Sequence, residues 1–75
     1  MSVEEVVAKV FSVDPSEITD QSSKETIAEW DSMGHLSLIT SLEDQFKVSL
    51  AIADAMEMTN VGQIKMVLKN YGVSL

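Results

Sequence analysis

The chain has 75 residues, with twelve carboxylates, five lysines, one histidine and a net charge of −7 at pH 7. That length predicts one domain over residues 1–75 and excludes a doubly wound sheet, a barrel or a two-lobed catalytic cleft. Without cysteine or arginine, and with one histidine, the chain has no disulfide frame, no thiolate or histidine-rich metal site, no cysteine nucleophile and little affinity for nucleic acid.

The first helix is predicted from Ser2 to about Phe11. Ser2 is its cap and Glu5 stands where a capping box requires it. Val3, Val6, Val7, Val10 and Phe11 make one apolar face. Asp14-Pro15-Ser16-Glu17 reads as a cap, a proline at the first helical position and a third-position glutamate. With only Ile18 behind it, a single turn is expected. Thr19 to Trp30 is mostly polar and has no clear period. A loop this long in a small domain is either functional or loose, and Ile27 and Trp30 are its expected anchors.

The strongest helical pattern is Ser32 to Phe46, with Asp31 as cap. His35, Leu38, Ile39, Leu42 and Phe46 share an inward stripe. Met33, Leu36 and Thr40 form a second stripe beside Ser32, beyond what one buried face requires. Val48 to Ala53 reads as a connection with apolar tie-downs, and Asp54 to Glu57 as one short turn. The last helix is predicted from Val61 to about Tyr71, with Asn60 as cap, Gln63 at the box position and Gly72 as the stop. Met56, Met58 and Met66 are read as a soft, adaptable core. The expected fold is all-α: an antiparallel bundle of three main helices and one short one, with a long loop after the first. No apolar run nears the roughly 20 residues that cross a bilayer, and Met1 to Lys9 lacks a signal peptide's order. A monomeric, cytoplasmic, membrane-free protein is expected.

Charge is uneven. Residues 1–31 hold eight carboxylates and two lysines, a net of −6, and the remainder nets −1. The acidity is concentrated before Ser32, much of it in the long loop, and Trp30-Asp31-Ser32-Met33 is the informative segment. A serine hydroxyl at the first residue of a helix projects to solvent, beside unpaired N–H groups and the positive end of the helix dipole. An attached phosphate is stabilised in such a place.

The segment Trp30-Asp31-Ser32-Met33-Gly34-His35-Leu36-Ser37-Leu38-Ile39 resembles the Asp-Ser-Leu attachment motif of acyl carrier proteins, with Met33 in place of the usual Leu. Leu42-Glu43-Asp44-Gln45-Phe46 resembles that family's Leu-Glu-acidic-x-Phe helix end. Met58-Thr59-Asn60-Val61 resembles its Ile-Thr-Thr-Val start of the last helix. The likeness covers nearly the whole chain, with the three segments correctly spaced.

The resemblance implies a carrier, not an enzyme. A phosphopantetheinyl transferase would esterify Ser32 with 4′-phosphopantetheine from coenzyme A. The arm's thiol would then hold an acyl or aminoacyl group as a thioester, in a fatty acid, polyketide or related pathway. Asp31 would present the serine, and Met33 and Leu36 would contact partners: the transferase and the acyltransferases, synthases or ligases of the pathway. Glu25, Glu29 and Asp31 would draw a basic partner surface. Two other readings compete. One is an unmodified helical interaction module that uses the Met33 stripe. The other is a hydrolase built on Ser32, His35 and Asp31, disfavoured because an acid adjacent to the serine is badly placed to orient the imidazole. His35 is read as a partly buried residue on the inward stripe, or as the lining of a cavity mouth.

Overall fold

Three of the four helices form where the apolar spacing places them. In the computed structural model, which describes all 75 residues, α1 spans Val3–Phe11, α2 Ser32–Phe46, α3 Ile52–Met56 and α4 Val61–Asn70. Pro15–Glu17 is the expected single turn, of 3-10 type. The architecture is all-α, with the long loop between α1 and α2.

Local caps start the helices. Ser2 Oγ accepts from Glu5 N at 3.2 Å, and Glu5 Oε1 accepts from Ser2 N at 2.8 Å, a complete capping box. At α4 Asn60 Oδ1 accepts from Gln63 N at 2.8 Å; there the Asn60 backbone pairs with Ser23 in an isolated antiparallel bridge. Gly72 ends α4 at φ +86°. Its N–H donates to the Lys69 carbonyl, and the Val73 N–H donates to Leu68, the paired bonds of a Schellman stop.

The helices are held by their apolar faces. Val3, Val6, Val7 and Phe11 of α1 meet Leu38 and Leu42 of α2 and Val61, Ile64, Val67 and Leu68 of α4 in one buried cluster. Ile18, Ile27 and Trp30 close that cluster from the loop. At about 25 cal/mol per Å², such burial is the main favourable term for a domain without cross-links.

The loop is not loose. Ser22 is buried, and its Oγ accepts from Thr19 N at 2.9 Å. The Ser22 and Asp20 carbonyls accept from Val61 N at 3.0 Å and Gly62 N at 2.9 Å. Three of the four N–H groups that a helix start leaves unpaired are thus satisfied at α4, two by the loop and one by Asn60. The long loop caps a helix some forty residues away in sequence, which no local pattern announces.

The segment before α4 departs from expectation. α3 begins at Ile52 rather than Asp54 and ends at Met56. Ile52 is 80% exposed and is no tie-down; Val48 and Leu50 are the ones packed on the core. No α3 residue is buried. Polar bonds hold it instead. The Tyr71 hydroxyl accepts from Ala51 N at 3.0 Å and donates to the Asp54 carboxylate, while the Ala55 carbonyl lies 2.9 Å from His35 Nε2. Met56 and Met66 are likewise exposed, leaving Met58 as the one core residue of the three expected inside. Met66 lies off the Val61, Ile64, Val67 and Leu68 face of α4, and composition, which ignores position, overstated the soft core.

Lys65 joins three elements. Its Nζ lies 2.6 Å from Glu4 Oε2 on α1 and 2.7 Å from Asp20 Oδ1 in the loop. The bond from Lys65 holds the Glu4 carboxyl below its ordinary value of 4.5. A lowered folded-state value means that the contribution is complete above the unfolded value and is lost as pH falls through the folded one. Glu4→Gln is therefore expected to lower the unfolding free energy by at most about 1 kcal/mol at neutral pH. Its difference from wild type should shrink as pH falls below 4.5 and vanish below the folded-state value, checked by urea denaturation at neutral pH and at successively lower pH.

Candidate functional site

The site is the junction of the loop and α2. Trp30 ends the loop. It is 4% exposed and stacks on Phe11, with ring centroids 5.4 Å apart. Asp31 is extended, and its Oδ1 accepts from Gly34 N at 2.8 Å. The first helical bond runs from His35 N to the Asp31 carbonyl at 2.8 Å. Ser32 is the first residue of α2, exposed, with a hydroxyl that makes no hydrogen bond within the chain. The Ser32 and Met33 N–H groups precede the first helical bond and also have no acceptor in the chain. Asp31, Glu29 and Glu25 are exposed on the approach to the serine.

Met33 and Leu36 are 75% and 63% exposed. The second stripe of α2 therefore does not pack against the loop. Ile52 and Met56, which sequence reasoning left out of the site, are exposed on α3, whose Ala55 carbonyl meets His35 on the first turn of α2. The signal was a short helix with apolar residues four apart, masked by reading Ile52 as a tie-down.

Gly34 is a site residue to which the sequence analysis assigned no role. A Cβ there would stand 2.2 Å from the Glu29 carbonyl oxygen and 2.9 Å from Phe11 Cε1. The glycine lets the end of the loop lie directly on the first turn of α2.

His35 is half-buried on the inward stripe, but it does not serve Ser32 as a base. Trp30 Nε1 donates to its Nδ1 at 2.9 Å, and its Nε2 lies 2.9 Å from the Ala55 carbonyl. Both ring nitrogens are occupied away from the serine, and the Asp31 carboxylate is spent on the cap. The structure does not assemble a Ser32–His35–Asp31 triad.

The group that the sequence resemblance implies needs a hydroxyl to bear it and donors for its phosphate. An exposed, unbonded hydroxyl offers an attachment point. Two free N–H groups at the positive end of a 15-residue helix suit a phosphate. The residues present fit phosphopantetheine.

This fold, with an unpaired serine at the head of its second helix, is that of a carrier. The chain matches the phosphopantetheine attachment site family over residues 2–65, and it belongs to that family. It is similar to the holo acyl carrier protein of Geobacter metallireducens, with 31% identity and a TM-score of 0.78 over 93% of this chain and 82% of that one. A Mycobacterium tuberculosis chain provisionally assigned as an acyl carrier protein shares the fold, with 24% identity and a TM-score of 0.78 over 93% of this chain and 99% of that one. The chain is thus an acyl carrier protein by family, and phosphopantetheine is the family's prosthetic group. No helix is long and apolar enough to cross a membrane.

Proposed function

We propose that Ser32 bears the 4′-phosphopantetheine arm and that the domain, residues 1–75, carries acyl or aminoacyl intermediates between enzymes of a fatty acid, polyketide or related pathway in the cytoplasm. The observation that carries this reading is the exposed Ser32 hydroxyl, free of internal bonds at the start of α2. In the loading step the serine oxygen forms a bond to the phosphorus bearing pantetheine. The pyrophosphate bond of coenzyme A breaks, adenosine 3′,5′-bisphosphate leaves, and the hydroxyl proton is released. The group supplies a thiol for thioester cargo, which a chain without cysteine lacks.

The chain's own residues do the rest. Asp31 caps the helix and fixes the backbone on which Ser32 stands. Met33 and Leu36 offer apolar contact to the transferase and to pathway acyltransferases, synthases or ligases. Glu25, Glu29 and Asp31 favour partners with a basic face.

Incubation with a phosphopantetheinyl transferase and coenzyme A, followed by intact-mass measurement, tests the reading. The wild type should gain the mass of one phosphopantetheine, and Ser32→Ala none. No gain on the wild type, or an undiminished gain on the variant, overturns it.

A further inference from the structure

Trp30 lies two residues before Ser32 and His35 three after. The hydrogen bond between their side chains therefore links the chain on either side of the serine. An indole N–H only donates, so His35 Nδ1 is the acceptor at 2.9 Å. A backbone carbonyl only accepts, so Nε2 carries the proton and donates to Ala55 O at 2.9 Å. These two partners specify one neutral tautomer. The ring planes lie within 15° of each other with centroids 6.3 Å apart, so the bond joins the two rings edge to edge.

The staple joins a buried ring to a short surface helix. Trp30 is buried against Phe11, and Ala55 belongs to α3. Between its ends, the Asp31 and Ser32 side chains are exposed, and the serine side chain has no hydrogen bond of its own. The direction of the Ser32 Cα–Cβ bond is thus set by the backbone on either side, which Trp30 and His35 fix.

We infer that His35 is a positioning residue for the modification of Ser32: its bonds to Trp30 and Ala55 hold the loop–helix junction so that the hydroxyl meets the transferase in one orientation. His35 touches neither coenzyme A nor the serine oxygen and moves no proton. It acts through the backbone, so its contribution lies in turnover rather than encounter, because Met33 and Leu36 stay in place for docking. The inference rests on Ser32 being the attachment point.

The test is steady-state transfer of phosphopantetheine from coenzyme A to the full chain, with helicity followed by circular dichroism. His35→Leu should lower kcat about tenfold with KM within about twofold, since small misplacements of a reacting group are magnified in rate. His35→Gln presents an acceptor and a donor at similar reach without an imidazole, and should restore kcat to within about twofold of wild type. Trp30→Phe keeps an aromatic ring against Phe11 and removes the N–H; it should behave like His35→Leu. If His35→Leu does not fold, the other two variants decide alone.

Wild-type kcat in Trp30→Phe or His35→Leu, a His35→Gln variant no faster than His35→Leu (or, without it, than Trp30→Phe), or a loss confined to KM overturns the inference. A wild type that takes up no group overturns the carrier reading and this inference with it. Equal loading of wild type and variants overturns the inference alone.

Discussion

Leu38→Ala is expected to lower the unfolding free energy by about 2–5 kcal/mol, the range for a buried leucine truncated to alanine. Leu38 is fully buried, in the cluster that α1, α2, α4 and the loop share. A domain of 75 residues has about 4–11 kcal/mol in total, so one such change removes much of its stability. The midpoint of thermal unfolding should fall by roughly 10 °C or more. Leu36→Ala, two positions away on the same helix, is the control. Leu36 is mostly exposed, so its truncation should change stability by no more than about 0.5 kcal/mol. Urea denaturation followed by circular dichroism checks both. Equal losses would mean that the two stripes of α2 do not divide into inward and outward sides.

Gly34→Ala is expected to destabilise the fold by about 1–3 kcal/mol, the usual range for overpacking. Helix propensity predicts the opposite sign, since alanine is favoured over glycine by about 1 kcal/mol in a helix. The contact decides: the new Cβ would stand 2.2 Å from a backbone carbonyl, at Glu29, which cannot rotate away as a side chain does. Something must shift, and what shifts is the end of the loop beside Ser32. Gly62→Ala provides the contrast. Its Cβ would meet Asp20 O and Asn60 Oδ1 at 3.3 Å, within reach of small adjustments. That variant should fall within about 1 kcal/mol of wild type, its propensity gain and its crowding nearly cancelling. Chemical denaturation of the two variants side by side tests the argument, and a stabilised Gly34→Ala would refute it.

Gly34 also changes the meaning of a sequence feature. In the sequence it is simply the third residue of the helix that Ser32 opens. In the structure it is a point of close approach, and no other side chain fits without moving the loop. His35 follows the same course. Its place on the inward stripe was legible from spacing, and its partial burial agrees. That each ring nitrogen would be bound, one by an indole and one by a carbonyl 20 residues away, was not. The hydrolase reading lost its base to those two bonds.

The short helix shows where local rules run out. Ala51 offers no side-chain cap, and α3 buries none of its residues. The stripe of alternating surface and core that marked α1, α2 and α4 is therefore absent. Its start at Ile52 depends on Tyr71 and His35, distant in sequence, which hold it by polar bonds.

The sequence alone determined the three long helices, their caps at Ser2, Asp31 and Asn60, the stop at Gly72 and an outward-facing serine at a helix start. Each depends on interactions within about four or five residues, which periodicity and capping chemistry encode. Only the tertiary structure decided that the loop caps α4, that Glu29 lies on Gly34, and that Trp30, His35 and Ala55 form one chain of bonds. Those contacts join residues up to 42 apart, as between Asp20 and Gly62. Their geometry follows from how the packed faces set the helices against one another, and no run of neighbouring residues specifies it.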